Sequence, residues 1–97
     1  MPEFPGGVKK LIAFAKRRIQ YPESAAKDEV QGSVVLLFVI SKAGKVTNKK
    51  ILKGVRRDLN LPCLNMLNHM PTWKPGRLQG KPIAVYERWI IKFVLVD

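Results

Sequence analysis

The chain has 97 residues, 46% of them hydrophobic, which allows one small domain with one modest core and room for two layers. Eighteen Lys and Arg against seven Asp and Glu give a net charge of +11, a field that favours acidic partners: nucleic acid, anionic lipid or an acidic peptide. The longest uncharged apolar run, Val34–Ile40, falls far short of the ~20 residues that cross a bilayer. The only cysteine, Cys63, excludes an internal disulfide.

Met1–Gly7 reads as an extended, Pro-Gly-punctuated entry without an apolar signal region, so any anchor or signal is expected outside this chain. From Val8 to Ile19, Val8, Leu11, Ile12, Ala15 and Ile19 recur at helical spacing, with Lys9, Lys10, Lys16 and Arg17 mostly off that stripe. This predicts an amphipathic helix. Tyr21-Pro22 ends it, and Glu23–Lys27 has room for one or two further turns. Val34–Ile40 is apolar on both faces, the pattern of a buried central strand. Lys42–Lys45 forms a hairpin turn with Gly44 available for a positive φ, and a more polar strand returns over Val46–Leu52. Asn60 suits an N-cap, with Pro62 in the first turn. Cys63, Leu64, Leu67 and Met70 then share a helical face until Pro71. Thr72–Pro82 reads as a loop.

The final strand, Ala84–Val96, is β-branched and aromatic throughout. Trp89, Ile91, Phe93 and Leu95 share one face; Arg88, Ile90, Lys92 and Val94 share the other. As the last strand it is expected at a sheet edge, where free N–H and C=O groups accept a partner strand unless blunted. The expected core comprises Leu11, Ile12, Ala15, Val34, Leu36, Phe38, Cys63, Leu67, Trp89, Ile91 and Phe93.

Catalytic chemistry finds little footing. His69 has no partners at metal-ligand spacing, Cys63 lies on an apolar stripe and reads as a packed thiol, and the carboxylates are scattered without a pair for acid–base work. No phosphate-cradling glycine pattern occurs. Trp73, Trp89, Tyr21 and Tyr86 interleave with basic residues, but Trp89 shares parity with the core, and no aromatic platform gathers the cations. The chain is therefore read as non-enzymatic, without cofactor or metal, and not as a nucleic-acid binder.

Several separated stretches together are more specific. Tyr21-Pro22, Val30-Gln31-Gly32, Gly44, Leu59-Asn60, Met70-Pro71-Thr72-Trp73-Lys74-Pro75-Gly76 and Gly80-Lys81-Pro82, preceded by Pro2–Gly7, resemble the C-terminal domain of TonB-type energy transducers over nearly the whole chain. The resemblance implies an α+β fold, two layers with two helices on one face of a three-stranded antiparallel sheet in the order α-β-β-α-β, as a single domain over residues 1–97. It implies a periplasmic domain, anchored to the inner membrane by a segment outside this chain. Such a domain couples the proton-motive force, through ExbB/ExbD-type partners bound elsewhere, to outer-membrane receptors for siderophores or other nutrients. The grip would be strand addition of the receptor's TonB box, placing the partner-binding positions at Tyr86, Arg88, Ile90, Lys92, Val94 and Val96, with help from Arg18, Ile19 and Gln20. The same edge could pair two copies as a homodimer.

Ile90 stands where the family usually carries Pro, which implies that its N–H points away from the sheet. Asn60 replaces an Asp, Pro62 a Glu, and Lys49 an apolar residue. The alternatives are a TonB-like sensory module fused to a membrane-anchored signalling protease, or a basic docking domain for an acidic polymer.

Overall fold

A computed structural model describes residues 1–95; the expected contact at Val96 lies outside the described residues. The chain runs α1 (Val8–Arg18), α2 (Glu23–Lys27), β1 (Gly32–Ile40), β2 (Val46–Lys53), α3 (Arg57–Asn68), β3 (Gly76–Leu78), β4 (Lys81–Ile83) and β5 (Val85–Phe93). β1 lies at the centre of an antiparallel sheet ordered β2-β1-β5, and β3 and β4 form a separate two-stranded sheet. This is the expected α+β architecture, with α2 as a short additional helix.

The doubly apolar β1 is central for the reason its sequence suggests. Val34, Leu36, Phe38 and Ile40 are fully buried and join Leu59, Cys63, Met66 and Leu67 of α3 in the core. On the other parity, Val35 is also buried while Leu37 and Val39 are half-buried. Phe38 lies edge-on to Trp89 at 5.1 Å and to Trp73 at 6.4 Å.

Trp73, expected in a loop, is 4% exposed and meets Phe4 edge-on at 5.4 Å. Two backbone links place it there. The Trp73 N–H donates to the Gly44 carbonyl at 2.7 Å, and Glu3 and Lys74 exchange bonds at 2.9 and 2.8 Å. Gly44 has φ 82, and a Cβ at that position would collide with the Trp73 carbonyl, so the hairpin glycine serves both the turn and this docking.

Three expectations need correction. Ile12 and Val8 are exposed at 49% and 70%; α1 instead packs through Leu11 and Phe14, with Phe14 against Phe4 at 5.6 Å. The second long helix begins at Arg57, so Asn60 lies inside it and Pro62 in its second turn. Asn60 Oδ1 instead accepts from the Val55 N–H at 3.0 Å, holding the segment that enters the helix. Asp58 occupies the first turn, where a carboxylate suits the positive end of the helix. Finally, Thr72–Pro82 is not all loop: Gln79 (φ 51) and Gly80 (φ 78) make a left-handed pair that closes the β3–β4 hairpin.

Cys63 is buried and donates from Sγ to the Leu59 carbonyl at 3.4 Å; burial pushes its thiol up to about 11. His69 places Nδ1 2.8 Å from the Asn65 carbonyl. Among the described residues no group of three or more His, Cys, Asp and Glu is placed to hold a metal, and no helix is long and apolar enough to cross a membrane.

Candidate functional site

β5 pairs with β1 in unbroken register, from Gly32 opposite Phe93 to Ile40 opposite Val85, and its other edge meets no strand among the described residues. Which residues serve which edge follows from three hydrogen bonds. The Val39 carbonyl accepts from Thr47 Oγ1 and the Ser41 N–H donates to the Lys45 carbonyl, so odd-numbered residues at this end of β1 turn toward β2. Even-numbered Ile40, Phe38 and Leu36 therefore turn toward β5 and pair with Val85, Glu87 and Trp89. At the far end the Leu95 N–H donates to Gln31 Oε1, on the β1 side. Odd positions of β5 thus bond inward. Tyr86, Arg88, Ile90 and Lys92 present their N–H and C=O groups to the open edge, with Val94 continuing the same parity.

The side chains follow the same alternation. Tyr86, Ile90 and Val94 are exposed at 72%, 53% and 61%, as are Arg88 and Lys92, whereas Phe93 is buried and Trp89 and Ile91 pack against the core.

Beside this edge runs a groove of about 280 Å³ between the end of α1 and the end of β5. Ala15, Ile19 and Tyr21 form one wall and Ile91, Phe93 and Val94 the other, with Lys16 and Lys92 also lining it. Tyr21 is held firmly in its wall. Its ring stands edge-on to Phe93 at 5.5 Å, and its hydroxyl donates to the Val30 carbonyl. Pro22, in extended conformation, starts α2 directly afterwards, so the Tyr-Pro pair both ends the first helical segment and shapes this cleft.

The expected site residues divide accordingly. Ile19, Lys92 and Val94 line the groove. Tyr86, Arg88 and Ile90 lie further along the same edge. Arg18 is turned elsewhere: its guanidinium lies over the Phe14 ring at 5.1 Å. Gln20 is exposed and outside the groove. Lys16, Tyr21 and Ile91 were not among the expected contacts. Tyr21 had a visible signal in the Tyr-Pro pair; Lys16 looked like one solvated cation among many.

The family model of the Gram-negative bacterial TonB protein C-terminal matches residues 17–95. The chain belongs to that family. It is thus a TonB-type periplasmic domain, of a family without enzymatic activity. Solved relatives agree in fold. The NMR solution structure of the Helicobacter pylori TonB C-terminal domain, residues 179–285, aligns with a TM-score of 0.69 at 24% identity, over 92% of this chain and 80% of that one. A shorter form, residues 194–285, gives 0.65 at 23% identity over 92% and 94%. No curated protein matches. Within this TonB-type domain, β5 offers a long open strand edge with an adjoining apolar cleft.

Proposed function

We propose that the domain grips the N-terminal segment of an outer-membrane receptor, the TonB box, as an added strand on β5. It would transmit force generated at the inner membrane by ExbB/ExbD-type partners acting on a segment outside this chain. The observation that carries the reading is the free, unbulged edge from Tyr86 to Val94 beside the Ile19–Tyr21 groove. Backbone hydrogen bonds supply the affinity and tolerate varied sequences, while the groove accepts an apolar side chain from the added strand.

Charge favours a receptor segment over a second copy. An antiparallel β5–β5 pair centred on Ile90 would set Arg88 of one copy opposite Lys92 of the other, a destabilising like-charge pair. An acidic segment at the same positions is attracted instead.

A pair of substitutions tests the edge. Ile90→Pro removes an outward N–H and should leave the domain folded while weakening binding of a TonB-box peptide. Ile91→Pro removes an inward N–H paired toward Val34, stranding a buried acceptor at a cost of about 1–3 kcal/mol in addition to the ring clash, and should unfold the domain. Both are read by thermal unfolding and peptide titration. Equal folding of the two, or unfolding of Ile90→Pro alone, would show that the edge is assigned to the wrong parity; undiminished peptide binding by a folded Ile90→Pro would place the receptor elsewhere.

A further inference from the structure

Among the described residues the sheet carries helices on one face only, and the opposite face has an ordered charge pattern. Residues directly opposite in an antiparallel sheet share a face, so the register places Lys53, Val35 and Ile90 in one row, Lys50, Leu37 and Arg88 in the next, and Thr47, Val39 and Tyr86 in a third. Lys92 extends the β5 column opposite Ser33. An apolar β1 stripe is thus flanked by Lys50 and Lys53 on one side and by Arg88 and Lys92 on the other. All of these cations are exposed.

No carboxylate balances them within the strands. The only acidic residue of the three, Glu87, has the opposite parity and lines a pocket with Trp73 and Trp89 on the helix side. The ion pairs of the described residues, Arg56 with Asp28 and Asp58, lie outside the sheet.

The β5 column of this face alternates exposed apolar and cationic side chains: Tyr86, Arg88, Ile90, Lys92, Val94. A solvated charged face needs no such exposed apolar tips. A soluble polyanion would use only the cations, and a second copy of this face would be repelled. Cations that reach phosphate beside an aromatic ring and aliphatic tips match the headgroup layer of a bilayer, polar above and apolar below. We propose that the open sheet face docks on a membrane surface rich in anionic lipid, through Lys50, Lys53, Arg88 and Lys92, with Tyr86, Ile90 and Val94 entering the interface. This inference does not rest on the receptor reading, although Lys92 and Val94 also line the groove of that reading. A strand added at the β5 edge extends the sheet sideways and leaves Lys50, Lys53, Tyr86, Arg88 and Ile90 uncovered.

The test is sedimentation of the 97-residue chain with vesicles of phosphatidylcholine alone or mixed equally with phosphatidylglycerol. Binding is expected to the mixed vesicles only. Replacing Lys50, Lys53, Arg88 and Lys92 together by Gln should weaken it about a hundredfold or more. Replacing Lys9, Lys10, Arg17 and Lys27 by Gln removes the same charge from exposed helix positions and should weaken it by less than about tenfold. Equal losses would overturn the proposal, because net charge alone would then account for binding; so would no binding to the mixed vesicles. A further variant, Ile90→Ser with Val94→Ser, keeps every charge. It should weaken vesicle binding severalfold and leave binding to inorganic polyphosphate unchanged. Unchanged vesicle binding would identify the face as a site for soluble polyanions and end the membrane reading. All substituted side chains are exposed, and circular dichroism checks that each variant is folded.

Discussion

The sheet has two outer strands, and their edges are not alike. β2 meets β1 with register shifts between Val35 and Leu36 and again between Leu37 and Val39. It also carries Asn48 in the left-handed region at φ 48. β5 meets the same β1 without a single shift. Shifts of this kind bend a strand, raise its twist and interrupt its row of donors and acceptors, which is how sheets blunt an edge against unwanted pairing. Lys49, Lys50 and Lys53 along β2 add charge to the same effect. One edge is therefore spoiled and the other left straight, although both strands lean on one central partner. An open edge on β5 is thus a retained feature, since the chain has the means to blunt an edge and applies them to β2.

The shared partner offers the largest effect. Phe38 is fully buried and supports both Trp73 and Trp89, so Phe38→Ala should cost about 3–5 kcal/mol, most of a small domain's stability. Denaturant unfolding measures the loss. Because β1 serves both edges, amide exchange in β2 and in β5 should accelerate together. Acceleration in β5 alone would mean that the two edges are not held by one core.

A smaller effect isolates the blunted edge. Asn tolerates the left-handed region better than a β-branched residue does, and Asn48 is exposed, so its packing is not in question. Asn48→Val should destabilise by about 1–2 kcal/mol, and Asn48→Gly should be close to neutral or slightly stabilising. Both are read from thermal melts. If Asn48→Val is neutral, β2 has straightened, and the variant should then self-associate through β2 on size-exclusion chromatography. That outcome would show that one residue keeps this edge closed.

Much of this architecture is legible in the sequence, because period and parity are local. Val34–Ile40 announces a central strand by being apolar on both faces, and the alternation around Trp89, Ile91 and Phe93 is enough by itself to assign the two faces of β5. What the sequence does not carry is long-range closure. Trp73 sits among Pro, Lys and Gly and looks like a loop residue; it is buried because Gly44 and Glu3, distant in the chain, bind its backbone and that of Lys74. Asn60 looks like a cap because it precedes Leu and Pro, yet the helix starts earlier. Arg56 there pairs with Asp58 at 2.6 Å and with Asp28 at 2.9 Å, and Ser24 of α2 donates to Asp58 at 2.7 Å, a junction that unites two helices. The β2 shifts leave no mark in hydropathy, which counts faces and not hydrogen bonds.

The smallest expected effect concerns the one carboxylate of the sheet. Glu87 points inward on β5 beside Trp73 and Trp89. Burial pushes its carboxyl above the ordinary range. A raised carboxyl favours the folded state when protonated, so the group weighs against folding above its folded-state pKa and is neutral below the unfolded value. Glu87→Gln should therefore stabilise the domain at neutral pH, with the gain shrinking to nothing as the solution is acidified. Asp58 has the opposite sign. Hydrogen bonds from Arg56 and then Ser24 hold its carboxyl well below the usual range, so its contribution is present at neutral pH and lost as pH falls through that depressed value. Asp58→Asn should accordingly weaken the domain at neutral pH and converge with the unsubstituted chain in strong acid. Unfolding curves across a pH series separate the two: Glu87→Gln lies above the parent at neutral pH and Asp58→Asn below it. A Glu87→Gln gain that persisted undiminished in acid would reflect improved packing against the tryptophans and not the removal of a buried charge, because Glu87 would then titrate alike in the folded and the unfolded chain.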